Sequence, residues 1–353
     1  MTTTDDRSPV DPATLVPLEE ACEWRRDTLG DRYVFQLTDE HVAELDAALA
    51  EAEGRTDDVL DITRDDFPLP TLGVELERLT AELVDGCGVA LIRGVPVERL
   101  GKTRASTVYW GIGTHLGEPW PQNAKGHLLG DVTDQGRAYD DPTARGNEIG
   151  GVPFPFHSDG SDLVGLLCLD AGASGGASLV ANALTIHNEL VRDDPELAAE
   201  LYGSFPYDYR GEQAPGGRAW YTMPVFTRRA ERLFVRYIRP YIEAARRHED
   251  APRPSPAARA AMDRLDAMCR DDTFHVSMML QPGDMQFVNN YHVLHARDAY
   301  EDRGAEGKIR HLKRLWLETD LLPDETKPEP FRLNRTAGNW WSSKGRTKSE
   351  LDV

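Results

Sequence analysis

The first candidate functional residues are a histidine and an aspartate in the segment Phe156-His157-Ser158-Asp159. If the segment is extended, His157 and Asp159 point to the same side, because alternate residues of a strand share a face. An imidazole nitrogen and a carboxylate oxygen suit iron(II), and a third ligand on one triangular face would leave three coordination positions open. A His-x-Asp pair also occurs by chance in surface loops, so this interpretation needs support from elsewhere.

The second half of the chain offers two candidates for the third ligand. The segment Pro282–Asn290 leads through a turn into Val293-Leu-His-Ala-Arg297, so His292 and His295 compete for the role. His295 lies inside an apolar run, where a strand would present it to an interior, whereas His292 lies nearer the turn. We therefore favour His295 as the ligand and interpret His292 as a turn or supporting residue.

Two arginines follow in the run Arg310-His-Leu-Lys-Arg314. In a strand Arg310 and Arg314 would share a face, and arginines in an otherwise apolar strand are costly unless each meets an anion. A guanidinium holds a carboxylate through two parallel hydrogen bonds, which suits the distal carboxylate of 2-oxoglutarate. The alternative is a buried structural ion pair, which explains either arginine alone more easily than it explains the whole set.

The net charge of the proposed set supports it. Iron(II) with Asp159 and two neutral histidines carries one net positive charge. 2-Oxoglutarate brings two negative charges, so one arginine returns the site to neutrality. A buried site that is close to neutral avoids a large desolvation penalty.

The elements that must position these residues are short apolar runs separated by Gly, Pro and Asp turns. We predict strands at 87–93, Asp162–Leu169, Ala177–Ala181, Leu233–Tyr237, Thr273–Met279, Asp284–Val288, Val293–Ala296 and Ile309–Leu317. Many short strands at intervals favour a barrel or a double-sheet jelly roll over a doubly wound parallel sheet. The predicted fold class is therefore mainly β with flanking helices.

Helical patterns precede and interrupt the strands. Asp39 is predicted to cap one helix, and a second runs from about Thr71 to Asp85 and stops at Gly86. A third helical stretch contains a new start at Pro195, and an insertion around residues 239–270 is predicted to be helical with a proline-rich break. We expect a flexible tail at 1–16, a single jelly-roll domain at 17–330 and a C-terminal extension at 331–353.

Bulk properties narrow the possible partners. The 353 residues carry a formal net charge of −20 and show no cluster of Lys and Arg that could neutralise nucleic-acid phosphates. We find no apolar run long enough to span a membrane and no signal peptide. The four cysteines are far apart and form no CxxC pair, which fits a reducing cytoplasm and argues against a disulfide framework or a thiolate zinc site. A cytoplasmic enzyme with a small-molecule substrate is the expectation.

At the family level, the chain resembles the taurine dioxygenase-like superfamily of iron(II)/2-oxoglutarate oxygenases, especially its clavaminate synthase-like branch. The resemblance runs from about Gly86 to Leu317 and rests on the order and spacing of FHSDGSD, GGASLVA, PGDMQFVNN, VLHAR and RHLKRLWL. It implies a double-stranded β-helix, which is a jelly roll with flanking helices. It also implies iron(II), 2-oxoglutarate and dioxygen as reactants, and a homo-oligomer, since members are often oligomeric.

The resemblance further implies a role for each site residue. His157, Asp159 and His295 would be the iron ligands, and Arg310 would bind the distal carboxylate of 2-oxoglutarate. Ser178 would assist there, at a position where the family often has Thr. On the substrate side, the resemblance implies that Arg314 contacts an acidic group and that Gln122 also contacts the substrate.

These roles predict a small carboxylate-bearing substrate that is oxidised at an aliphatic C–H bond, namely a free amino acid or a derivative in secondary metabolism. Two arginines imply two anions, and 2-oxoglutarate accounts for only one of them. Related halogenases have Gly or Ala in place of the metal-binding carboxylate, so Asp159 favours hydroxylation or a related oxidation. The alternatives are a sulfonate dioxygenase of the taurine type, a non-catalytic jelly-roll protein that binds a small acid, and a hydrolase or isomerase with the same ligands.

Overall fold

The structure is a computed structural model that describes residues 10–20, 22–302, 307–329, 331 and 340–349. Within these ranges the α-helices are α1 (Arg26–Leu29), α2 (Asp39–Glu53), α3 (Leu72–Asp85), α4 (Val97–Leu116), α5 (Ala183–Asp193), α6 (Pro195–Glu200), α7 (Arg239–Ala244) and α8 (Pro256–Arg270). The strands are β1 (Val34–Gln36), β2 (Val89–Arg93), β3 (Glu118–Pro119), β4 (His127–Val132), β5 (Phe154–His157), β6 (Leu163–Asp170), β7 (Ser174–Gly175), β8 (Ser178–Asn182), β9 (Ser204–Asp208), β10 (Trp220–Pro224), β11 (Phe226–Arg229), β12 (Arg232–Val235), β13 (His275–Met278), β14 (Met285–Asn289), β15 (Val293–Arg297), β16 (Tyr300–Glu301), β17 (His311–Glu318) and β18 (Thr347–Lys348).

Two β-sheets pack face to face around the candidate site. The larger has the strand order β1-β2-β14-β6-β17-β4-β18, with β3 also paired to β17, and the smaller has the order β13-β8-β15-β5. Val164 and Leu312 of the larger sheet share one buried cluster with Val180 and Val293 of the smaller. The packing of two largely antiparallel sheets through alternating apolar residues is that of a jelly roll. The predicted fold class is confirmed.

Helices α2, α3 and α4 cover the outer face of the larger sheet. Leu49 of α2, Leu76 of α3 and Tyr109 of α4 share a buried cluster with Leu167 and Phe287 of the sheet. This arrangement leaves the inner face of the sheet for the second sheet and the site. The predicted helix up to Gly86 is therefore confirmed as α3, with its apolar stripe turned towards the core.

The start of α2 differs in detail from the prediction. Thr38 is the capping residue, because its hydroxyl accepts a hydrogen bond of 3.2 Å from the backbone N–H of His41. Asp39 is instead the first helical residue, where its negative charge interacts favourably with the positive end of the helix dipole. Threonine and aspartate both cap helices well, so composition alone did not separate the two neighbours.

The stretch at 239–270, predicted to be helical, is helical and lies between β12 and β13. It consists of α7, a 3-10 turn at Ala245–Arg247 and, after the proline-rich break, α8. Two hairpins, β9–β10 and β11–β12, precede it, and the sequence patterns predicted only the last of these four strands. The predicted start at Pro195 is also confirmed, because the side chain of Asp194 accepts a hydrogen bond of 3.1 Å from Leu197 N.

The chain ends lie partly outside the described residues. Of the predicted tail, residues 10–16 are described and include a 3-10 turn at Pro12–Thr14. Of the predicted extension, β18 pairs in parallel with β4 of the larger sheet, with Thr347 opposite His127. The division into tail, domain and extension stays a prediction. In the part of the chain that the structure describes, no helix has the length and apolar character needed to cross a bilayer.

Candidate metal centre and active site

His157, Asp159 and His295 meet on the inner face of the smaller sheet. His157 ends β5 and is the register partner of His295 on β15, and the two ring centroids are 4.1 Å apart. Asp159 follows β5 by two residues, with Oδ1 at 3.9 Å from His157 Nε2 and Oδ2 at 4.0 Å from His295 Nε2. One ligand atom from each residue lies within 4.8 Å of the others. We call these three residues the facial cluster.

The structure separates the two competing histidines. His292 lies in the turn before β15, and its ring groups with Glu20 and Cys22 rather than with His157. Residues 293, 295 and 297 share one face of the strand, because side chains alternate along β15. The geometry therefore places His295 in the facial cluster and His292 outside it, as the sequence interpretation favoured.

Hydrogen bonds orient the backbone and the rings around the facial cluster. His157 Nδ1–H donates to the carbonyl of Pro155 at 2.9 Å, which leaves the Nε2 lone pair for a metal ion. The backbone N–H of Asp159 donates to Asn290 Oδ1 at 2.9 Å, and Asn290 Nδ2 donates to the carbonyl of Ser161 at 3.0 Å. The second asparagine of the PGDMQFVNN motif thus holds the turn that carries the carboxylate.

The protonation states around the facial cluster suit a divalent metal ion. Burial opposes ionisation of Asp159, but Arg314, the two histidines and a hydrogen bond of 3.0 Å from Trp316 Nε1 hold its pKa below the ordinary value. Burial, followed by the charge of His157, lowers the pKa of His295 to about 3. An ionised carboxylate and neutral imidazoles are the forms in which these groups bind metal. The residues present therefore fit an iron(II) ion with open positions.

Arg310 is a buried cation whose terminal guanidinium nitrogens have almost no hydrogen-bond partners among the described residues. Its Nη1 has no hydrogen-bond partner among the described residues, and its Nη2 reaches only the carbonyl of Gly176, at 3.5 Å. The guanidinium lies over the ring of Tyr300, 5.1 Å from its centroid. Burial, followed by repulsion from Arg297, lowers the pKa of Arg310 to about 10. A charged fork in this environment fits an anion such as the distal carboxylate of 2-oxoglutarate.

Gly176 makes room for that fork. Its φ of +75° is in the left-handed region, and a Cβ at this position would lie 2.8 Å from Arg310 Nε. A side chain here would be strained in its own backbone and would displace the guanidinium. The second glycine of the GGASLVA motif is thus explained by the position of Arg310.

Ser178 lies beside the same cavity, at the start of β8. Its hydroxyl donates to Gln286 Oε1 at 2.6 Å, and its register partner on β15 is Arg297. Arg297 donates to the carbonyls of Ile149 and Val152, which ties the long loop after β4 to the rim of the site. The structure therefore brings Ser178 near Arg310 while its hydroxyl proton is directed to Gln286.

Arg314 and Gln122 are joined to each other and to the metal centre. Arg314 Nε donates to Gln122 Oε1 at 2.8 Å, and Arg314 Nη1 lies 3.4 Å from Asp159 Oδ2. Gln122 Nε2 donates to the carbonyls of Leu128 and Arg314, both at 2.8 Å. Arg314 lines the cavity, but Gln122 is only 1% exposed and lies behind the arginine. The structure thus makes Gln122 a support for Arg314, and its predicted contact with substrate remains a prediction.

One cavity joins these groups. The facial cluster, Arg310, Ser178 and Arg314 all line it, and so do two residues that sequence reasoning did not select, Arg145 and Tyr241. Arg145 falls in the long loop between β4 and β5, where nothing in the local pattern marks it. Trp316, which donates to Asp159, was also missed, although its place two residues after Arg314 puts it on the same strand face.

A family profile and a known relative match most of this chain. The sequence profile of the taurine catabolism dioxygenase TauD, TfdA family matches residues 37–316. FR-33289 synthase of Streptomyces rubellomurinus (strain ATCC 31215) is 31% identical over 310 residues, which cover 86% of this chain and 91% of the relative.

Two solved structures share the fold. Asparagine oxygenase in complex with Fe(II), 2S,3S-3-hydroxyasparagine and succinate has a TM-score of 0.62 at 18% identity, covering 81% of this chain and 93% of that one. The non-heme iron oxygenase OrfP in complex with Fe, succinate and (3S)-hydroxy-L-Arg has a TM-score of 0.61 at 16% identity, covering 81% and 94%. The family match covers most of the chain, including every predicted site residue. The chain therefore belongs to the TauD/TfdA dioxygenase family and is an iron(II)- and 2-oxoglutarate-dependent dioxygenase.

Proposed function

We propose that the enzyme hydroxylates an aliphatic C–H bond of a small, carboxylate-bearing substrate, namely a free amino acid or an amino-acid derivative. The observation that carries the proposal is that the facial cluster and the unpartnered fork of Arg310 line one cavity. A non-catalytic acid-binding protein would need the arginine but not a set of three metal-binding side chains beside it.

Each part of the cavity has a task in this proposal. His157, Asp159 and His295 hold iron(II) on one face, and Arg310 holds the distal carboxylate of 2-oxoglutarate, with Ser178 beside it. When bound, iron(II) and 2-oxoglutarate supply with dioxygen the oxidising power that C–H cleavage requires. The protein orients the target carbon and keeps water away, since the facial cluster is largely buried.

Arg314 supports an acidic substrate. Burial lowers its pKa, and Asp159 satisfies only part of its hydrogen-bonding capacity, through one contact of 3.4 Å. A substrate carboxylate would complete the partners of this guanidinium. The relatives whose structures share the fold were solved with hydroxylated asparagine and arginine, which agrees with an amino-acid substrate. We also propose a role in secondary metabolism, because a relative is named for the synthesis of FR-33289.

The test begins without substrate. Anaerobic addition of iron(II) and then 2-oxoglutarate to the purified protein should produce a weak visible charge-transfer band. A succinate-release screen over amino acids, sulfonates and aryloxy acids should then give a hit among the amino acids or their derivatives, with a product heavier by one oxygen atom. Turnover of sulfonates alone would replace the substrate class and keep the enzyme class. Turnover without dioxygen or 2-oxoglutarate would contradict the proposal and favour a hydrolase or isomerase.

The cellular setting is a separate proposal. The four cysteines are buried and unpaired, which supports a reducing compartment such as the cytoplasm. We also propose a homo-oligomer, following the resemblance to the superfamily. Fractionation of the native host and light scattering of the purified protein test the two proposals separately.

A further inference from the structure

A second cavity lies beside Asp159. It shares Arg145, Asp159, Ile238 and Tyr241 with the cavity that contains the facial cluster, so the two spaces meet beside the metal centre. Trp341, from the C-terminal segment, closes one wall and donates to the carbonyl of Glu212 at 3.1 Å. We call this space the outer cavity.

Arg145 is the first of two buried arginines that line the outer cavity. It is 8% exposed, lies 5.7 Å from the ring centroid of Trp316 and forms an ion pair of 3.3 Å with Glu212. Its Nη1 also donates to the carbonyl of Gln122. Arg314 lies 5.2 Å from the centroid of the same ring, and both guanidinium groups line the cavity that contains the facial cluster, so the two can contact one small ligand.

Arg236 is the second of these arginines and is also 8% exposed. One of its terminal nitrogens donates to the carbonyl of Ser158, the residue between the two metal-binding side chains of the His-x-Asp pair. The other terminal nitrogen makes only a long contact of 3.4 Å with the hydroxyl of Tyr221, and Nε has no partner among the described residues. A buried guanidinium with this much unused donor capacity is costly unless a ligand completes it.

The charges around the outer cavity do not balance. Arg145, Arg236 and Arg314 line the two joined cavities, and Glu212 opposes them from the cavity wall. The other wall carboxylate, Asp208, is already neutralised, because Arg247 Nε lies 2.6 Å from its Oδ2.

Asp159 cannot supply the missing charge either. Together with iron(II), two neutral histidines, 2-oxoglutarate and Arg310, it forms a set with no net charge, to which Arg297 in the same lining adds only positive charge. Three guanidinium groups on the substrate side therefore face one available carboxylate, an excess of two positive charges. A buried excess of this size calls for a ligand of opposite charge.

We propose that the outer cavity is a second anion subsite of the substrate pocket, in which Arg145 and Arg236 bind a second negative charge of the substrate in addition to the charge held by Arg314. The proposal rests on the function proposed above and narrows its substrate class. The substrate carries two negative charges, either on two carboxylates or on one doubly ionised tetrahedral group, such as a phosphonate. A zwitterionic amino acid without a further acid would leave the excess charge unmatched.

The test compares ligands that have the same shape and differ by one charge. The protein is loaded anaerobically with iron(II) and saturating 2-oxoglutarate at mildly alkaline pH and titrated by calorimetry. One pair of probes is N-acetyl-L-aspartate and N-acetyl-L-asparagine, and the other is 3-aminopropylphosphonate and 3-aminopropanesulfonate. We expect the doubly charged member to bind roughly tenfold or more tightly in at least one pair, since one further charge-assisted contact contributes about that much. The pair that responds distinguishes a dicarboxylate from a phosphonate.

Variants locate the effect. Arg145→Gln and Arg236→Gln should each reduce the preference for the doubly charged probe to about threefold or less, whereas Glu212→Gln should increase it, because a competing carboxylate is removed. Arg78→Gln, an equal charge change on an exposed face of α3, should leave it unchanged. Equal affinities within both pairs, no measurable binding of either doubly charged probe, or a preference that survives both cavity variants would overturn the proposal.

The two proposals can fail separately in this experiment. The charge-transfer band is recorded before any probe is added, so its absence contradicts the proposed function. A normal band without a charge preference contradicts only the second anion subsite. The wild-type comparison needs no substitution, so misfolding of a variant cannot hide the result.

Discussion

Replacing Arg310 by alanine separates the cosubstrate role of this residue from a structural role. In the protein without ligand the side chain lies over the ring of Tyr300 and makes one weak hydrogen bond, of 3.5 Å to Gly176, while its Nη1 is unpartnered among the described residues. The substitution should therefore change the free energy of unfolding by less than about 1 kcal/mol. A guanidinium that belonged to a buried structural ion pair would instead cost about 3–5 kcal/mol on removal.

With 2-oxoglutarate bound, the same substitution removes a two-bond contact to a carboxylate. Hydrogen bonds to charged groups contribute about 1.5–3 kcal/mol, and the attraction is strengthened because Arg310 is 5% exposed. We therefore expect a loss of roughly 2–3 kcal/mol, which corresponds to a dissociation constant about 30- to 150-fold higher. Arg310→Lys keeps the positive charge but cannot form the two-bond contact, so its dissociation constant for 2-oxoglutarate should lie between those of the wild type and Arg310→Ala.

The assay is titration of the anaerobic iron(II) protein with 2-oxoglutarate, followed through the visible charge-transfer band, with urea unfolding of the same variants. Arg78→Ala, on an exposed face of α3, is the control for general effects of losing an arginine. An Arg310→Ala protein that binds 2-oxoglutarate as tightly as the wild type would refute the assignment. A large loss of stability without ligand would show instead that the residue is structural.

Three further predictions concern the metal centre and its supports. Alanine at any member of the facial cluster should abolish substrate-dependent succinate formation and leave the fold intact, whereas the His292→Ala variant should stay active. An active His295→Ala variant together with an inactive His292→Ala variant would show that the third ligand is wrongly assigned. Trp316→Phe removes the 3.0 Å hydrogen bond to Asp159 and should weaken iron(II) binding about 10- to 100-fold in anaerobic titrations, so an unchanged affinity would make this contact irrelevant to the metal. Arg314→Ala should raise the Michaelis constant for the substrate found in the screen, since the substitution removes one charged contact to that substrate. The affinity for 2-oxoglutarate should stay within about threefold of the wild-type value. The opposite pattern would show that the roles of the two arginines are exchanged.

Several features could be predicted from the sequence because local rules determine them. The two-residue spacing in His157-x-Asp159 and the four-residue spacing from Arg310 to Arg314 each predict that two side chains share one face of an extended chain. All four side chains do line one cavity, although Asp159 lies two residues beyond β5 and Arg310 one residue before β17. The break at Pro195 and the stop at Gly86 follow from the backbone of proline and glycine. The order and spacing of the motifs then carried the resemblance to the family, and the family match confirms that resemblance.

Other features depended on contacts between residues that are far apart in sequence. Arg145 lies in a segment without a recognisable pattern, and nothing in the predicted strand Leu233–Tyr237 marks Arg236 as a site residue. Only the packing of the long loop and the β12 region around Asp159 brings the two arginines to one cavity. Gln122 shows the same limit, because its position in the chain is compatible with a substrate contact, yet the register of β4 and β17 directs its amide to Arg314. Local spacing determines which side chains share a face, since that depends on the backbone geometry of one element. Which faces meet, and which charges remain unbalanced between them, depends on how the sheets, loops and insertion pack together, and only the tertiary structure decides it.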